Sequence, residues 1–204
     1  MTLSLSNQLK SATLKQHTQL DQLALFQALS SANISAAHYE TVISGFAALL
    51  SCWQPQFALA AQTYAIPDFA HIADHGLALQ QDITGFSAPC CLPEPAAATI
   101  CSPEDYLGYS YVWHGASLGA QFILARLRAS ALNTSYPFAY YQQLSQQSQA
   151  ATHWPLWCAD LNTYAAKQQL STTAITLAAQ RCFSQIIDWF SVLPVPVATD
   201  IAAE

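Results

Sequence analysis

Lys10, His17 and Asp21 stand at the spacings that place three side chains along one side of a helix. Seven residues make almost two turns, so Lys10 and His17 would lie about 10 Å apart along the axis. An imidazole on such a face can bind iron through one ring nitrogen. Its other nitrogen then needs a partner that fixes the tautomer, and Asp21, one turn further on, can supply it. Lys10 can meet a ligand carboxylate as a point charge. The same three residues also fit a plain surface helix with solvated charges.

A second run, Tyr111-Val112-Trp113-His114-Gly115-Ala116-Ser117-Leu118-Gly119-Ala120, sets two glycines four apart in an otherwise apolar helix. Each glycine costs about 1 kcal/mol against alanine there. Removing Cβ atoms along one face lets a flat ligand or another helix approach the backbone. It also permits a kink. Close helix–helix packing is the competing explanation.

His71 and His75, read as one helical turn apart, can hold a metal only if a third ligand converges. A polar helix face is the simpler reading. His38 and His153 carry no pattern. No HExxH, GxSxG or phosphate-binding glycine loop occurs. The six cysteines, Cys52, Cys90, Cys91, Cys101, Cys158 and Cys182, include no CxxC pair and read mostly as small buried hydrophobes.

Helical periodicity governs the elements that must carry these residues. A first helix is expected from Leu5 to Leu29, with Leu9, Thr13, His17, Leu20 and Ala24 on one face. A second begins after Ser35 and bends or ends near Pro55. A third is expected from Pro67 to Asp82. Gly85–Ser102, with Pro89, Pro93 and Pro95, reads as a loop. Ser102-Pro103-Glu104-Asp105 is a sharp helix start for a segment reaching Ser130. Phe138–Lys167 is helical with interruptions, notably at Pro155, and Ser171 opens a last helix. The expected fold is a single all-α domain over 1–193, a multi-helix bundle, with a loose tail at 194–204.

With 204 residues, the chain suits one domain with a buried core. Only 9% of residues are charged, and the net charge is −6. Six basic residues, Lys10, Lys15, Arg126, Arg128, Lys167 and Arg181, form no stripe that would bind nucleic acid. Mean hydropathy is +0.21. Every apolar stretch is broken by Gln, Ser, His or Thr, so no membrane span is expected, and no secretory signal is read. A cytoplasmic monomer is the expectation.

Taken in order, these stretches resemble the biliverdin-producing bacterial haem oxygenases. Leu9-Lys10-Ser11-Ala12-Thr13-Leu14-Lys15-Gln16-His17 is similar to the family's opening pattern, in which the proximal His follows a Thr by four residues. Tyr111–Ala120 resembles its distal-helix signature. Leu79-Gln80-Gln81-Asp82-Ile83 with Gly85 resembles its Leu-x-x-Asp-Leu stretch. Trp154–Leu161 and Phe183–Phe190 resemble its later helices. The resemblance implies haem b, at once cofactor and substrate, held between a proximal helix with His17 on the iron and a distal helix with Gly115 and Gly119. Lys10 and Tyr111 match positions that contact propionates, and Asp21 an acidic position beside the proximal His. Gly115, Ser117 and Gly119 would shape the distal side. O2 and an electron donor (a ferredoxin, a flavodoxin-type reductase or a small reductant) would be the other partners, and biliverdin, CO and iron the products. The alternatives are a haem-storage or transfer protein on the same fold, a thiamine-degrading enzyme of similar architecture, and a helical interaction module.

Overall fold

A computed structural model describes residues 4–31, 33–86, 91–149 and 153–196. Ser4 Oγ accepts the Asn7 N–H and opens α1, Leu5–Asp21. The chain then turns extended at Leu23 and resumes as α2, Ala24–Leu29. The single helix expected over Leu5–Leu29 is therefore two. No breaker residue marks the division. It re-aims the chain so that Leu25 and Leu29 are buried in the core, and that burial outweighs local propensity.

Ser35 caps α3, Ala36–Tyr64, as expected, but Pro55 lies inside this helix and does not end it. Trp53 and Phe57, on either side of the proline, are both buried and anchor the helix across it. By length and composition α3 is the one helix among the described residues apolar enough to cross a membrane. Its large side chains, Tyr39, Phe46, Trp53 and Phe57, nonetheless turn into the core.

The next helix, α4, runs Ile72–Ile83 rather than from Pro67. His71 adopts a left-handed conformation (φ 50°), and its N–H donates to the Asp68 carboxylate at 2.9 Å. That turn holds the chain out of helix until Ile72. At the other end, Asp82 is fully buried and accepts the N–H groups of Ala139 (2.8 Å) and Tyr140 (2.9 Å). These are orphan donors at the start of α7, Ala139–Gln149. Burial, the larger influence, pushes the Asp82 carboxyl above its usual range, and the two N–H bonds oppose it. Asp82→Ala strands both donors in the core, so we expect a loss of about 2–4 kcal/mol, read from urea unfolding midpoints.

Residues 91–102 form no regular element but are pinned to the core. Trp53 Nε1 donates to Ala96 O (2.8 Å) and the Tyr64 hydroxyl to Cys101 O (2.6 Å). Ser102 then caps α5, Pro103–Gly115, with Pro103 in its first turn. After a break at Ala116, α6 covers Ser117–Ala129, and a 3-10 turn follows at Ala131–Thr134. The next helix, α8, is His153–Lys167. Pro155 lies inside this helix, two residues after the first one described, and does not interrupt it, contrary to the expectation of a break at Pro155. Ser171 opens α9, Thr172–Ser191, as expected.

The described residues are all-helical, with no strand. One contiguous apolar cluster runs from Leu5 to Leu193 through every α-helix. Of the cysteines, Cys158 and Cys182 are buried, Cys52 is half-buried, and Cys91 and Cys101 are exposed. The expectation of mostly buried thiols thus holds for two. Cys90, and the tail expected to be loose from residue 197 on, lie outside the described residues.

Candidate functional site

The last helix, α9, sets the spacing between α1 and α5. On one side Gln180 Nε2 donates to the Ala12 carbonyl (2.8 Å), and the Phe183 ring meets His17 edge-on with ring centres 5.9 Å apart. On the other side Ser171 N–H reaches the Glu104 carboxylate (3.3 Å), and Gly108 lies under Ala178. A Cβ at Gly108 would stand 2.6 Å from the Ile175 carbonyl oxygen and 2.7 Å from the Ala179 nitrogen. Only glycine allows that approach. Both helices therefore advance in the same direction along α9.

The α1 face bearing Leu9, Thr13 and His17 is covered at its start and open at its end. Leu9 and Thr13 are buried, and the Tyr111 hydroxyl of α5 lies against Thr13. One turn later in α1 stands His17, whose side chain is 62% exposed. One turn later in α5 stands Gly115, where that helix stops. The Ala116 N–H turns back to Trp113 O (3.3 Å), and Ser117 Oγ donates to His114 O (2.8 Å). A small-residue run with a hydroxyl bonded to the preceding turn is a recognised cause of helix bending. The cover over α1 ends where α5 bends.

Neither glycine of the bend is demanded by internal packing. A Cβ at Gly115 would make ordinary contact with the Trp154 ring at 3.6 Å, and one at Gly119 would meet nothing within 4 Å. Close helix–helix packing, the rival explanation for the pair, is therefore absent. Phe122, three residues after Gly119 on the same face of α6, is 71% exposed. The open face is thus apolar as well as bare.

His17 Nδ1 lies 2.9 Å from Asp21 Oδ2, the contact expected from the i, i+4 spacing. A carboxylate there holds the proton on Nδ1 and leaves the Nε2 lone pair outward. Lys10 is exposed, two turns before His17. Two expected site residues turn inward instead. Tyr111 is buried, its ring near Trp154 (5.7 Å) and Trp157 (6.5 Å), and burial pushes its hydroxyl up to about 12. Ser117 is buried and already bonded to the bend, so it shapes the bend rather than facing the opening.

A groove of about 410 Å³, lined by Gln19, Gln22, Leu23, Ser184, Ile187 and Asp188, borders neither His17 nor the two glycines. Among the described residues no three His, Cys, Asp or Glu side chains surround a common metal position as they stand. A haem iron asks less of the protein, one axial imidazole, because the macrocycle supplies the rest. Phe183 was not singled out in the sequence for any role beside His17. Its place on the buried stripe of α9 was the available signal.

The described residues form an all-α protein with an exposed, carboxylate-paired histidine on α1 and two glycines at the α5–α6 break. No family model, curated protein or solved structure matches the chain.

Proposed function

We propose that this chain is a haem oxygenase-like protein that binds haem b between α1 and the α5–α6 bend and opens it oxidatively to biliverdin. One observation carries the reading. An exposed imidazole, oriented by Asp21, stands one turn beyond Thr13, which the Tyr111 hydroxyl covers; one turn beyond Tyr111 comes Gly115, and then Gly119, where an added Cβ would meet no described atom within 4 Å. Haem, when bound, supplies the iron at which O2 is activated and is itself the molecule cleaved.

The chain's own groups do the rest. Asp21 accepts the Nδ1 proton of His17, which fixes the tautomer and leaves the Nε2 lone pair for the iron. Phe183 supports the ring from α9. Lys10, about 10 Å before His17 along α1, would offer its ammonium to a propionate. Gly115 and Gly119 let the distal backbone come close to a flat ring, with no acidic side chain in that stretch. The Ser117 bond to His114 O holds the bend that opens the space.

Haemin added to the purified protein, followed by a reductase and O2, tests the whole reading. The expected result is a Soret band that decays to a bilin spectrum with release of CO. A second reading, haem storage or transfer, draws on the scarcity of cations: Lys167, at the far end, is the basic residue of α8. A stable Soret band with no product in that assay would favour it. Asp21→Asn removes the carboxylate but not the ligand, so turnover should fall by about 10–100-fold with haem still bound. Unchanged turnover would show that the Nδ1 contact has no part in the chemistry.

A further inference from the structure

His71 and His75 do not act as a pair. His71 sits outside α4 in its left-handed turn, while His75 is buried between Trp113 and Tyr140, its ring 6.3 and 5.9 Å from theirs. The tertiary structure gives His71 different neighbours. Its ring centre stands 5.7 Å from that of His114 on α5, and His114 stands 5.1 Å from His153 at the start of α8.

His114 is the anomaly. It is fully buried, yet neither ring nitrogen has a hydrogen-bond partner. A buried imidazole with two idle nitrogens costs free energy that native structures ordinarily avoid. Trp157 and Trp154 stack on its face at 4.6 and 5.9 Å, which leaves the nitrogens at the ring edge.

We propose that His71, His114 and His153 form a binding site for a first-row transition metal of the Zn2+ class, separate from His17. Imidazoles sharing a tetrahedral zinc at about 2.0–2.1 Å hold their ring centres roughly 5 Å apart, close to the two separations here. As they stand, the nitrogens do not meet at one point. His71 and His153 are both half-buried and have room to swing toward the fixed His114. A metal bound there answers the idle nitrogen of His114, and the partly exposed edge leaves a fourth position for water. Imidazole donors suit Zn2+, Co2+, Ni2+ and Cu2+ over Mg2+ or Ca2+. The three histidines belong to α5, to the turn before α4 and to the first described residue of α8, so a metal they held would tie these elements together.

The test uses the metal-free full-length protein without haem. Equilibrium dialysis should find one Zn2+ per chain. Co2+ should give the intense visible bands of a tetrahedral site and quench tryptophan fluorescence, because Trp154 and Trp157 lie on His114. His114→Phe keeps a flat ring against the indoles and should weaken binding more than about tenfold. His71→Ala and His153→Ala, at half-buried positions, should do the same and decide the matter if the His114 variant fails to fold. His17→Ala should leave binding intact. Less than one Zn2+ per chain, unchanged affinity in the three variants, or a loss confined to His17→Ala would each overturn the proposal. The last would place the metal on the His17–Asp21 pair.

Discussion

His17→Ala should abolish haem cleavage while leaving the fold intact. The side chain is 62% exposed and its polar bond runs to Asp21 on the same helix, so its removal opens no cavity. Unfolding midpoints should stay within about 0.5 kcal/mol of the parent. The functional loss should be far larger. Losing a partner that merely orients a ligand typically costs 10–100-fold, so losing the axial ligand itself should cost more than about 100-fold in turnover. The Soret band should shift or broaden as the iron loses its imidazole. Added imidazole should restore part of the spectrum, because the vacated space at the mouth of the gap is open to solvent. A variant with the parent's spectrum and bilin yield would remove His17 from the iron and, with it, the proposed function.

Gly108→Ala and Gly119→Ala should have opposite effects, although both glycines lie on the α5–α6 segment. At Gly108 the added methyl would stand 2.6 Å from the Ile175 carbonyl, a backbone atom that cannot swing aside. Forcing α5 and α9 apart should cost about 2–4 kcal/mol, a fall of roughly 4–12 °C in Tm. Haem binding should weaken too, since α9 sets the distance between α1 and α5. At Gly119 the methyl would meet nothing within 4 Å. Stability should hold or rise by up to about 1 kcal/mol from helix propensity alone. Haem affinity should nonetheless fall, and Gly119→Leu should block binding outright in a correctly folded protein. Equal destabilisation at both positions would show that the bend is closed by protein, with no room for a ligand. Calorimetry and haemin titration of the two variants separate these outcomes.

Much of the site was legible from spacing. An imidazole and a carboxylate four residues apart on one helix can hardly avoid each other, and the His17–Asp21 contact is formed as the pattern requires. Gly115 and Gly119 permitted a kink, but the division at Ala116 of the single helix expected to reach Ser130 was not foreseen. The caps at Ser35, Ser102 and Ser171 were readable because a hydroxyl before an apolar run has one good use there. Other features had no local signature. Nothing in Gln22-Leu23 announces the break between α1 and α2. Pro55 is an ordinary helix breaker in sequence and is overruled by the anchoring of Trp53 and Phe57. His71 and His75 share a helical spacing that the left-handed turn at His71 cancels.

The sequence by itself determined the all-helical class, the helix starts at Ser35, Ser102 and Ser171 and the His17–Asp21 contact, because these depend on interactions within about one helical turn. Only the tertiary structure decided that the His17 side chain lies open, that Tyr111 and Ser117 turn inward, and that His114 is buried against two indoles near two further histidines. Those outcomes depend on where α8 and α9 pack against α1 and α5. Such packing joins residues more than a hundred positions apart, and no periodicity along the chain encodes which surfaces will meet.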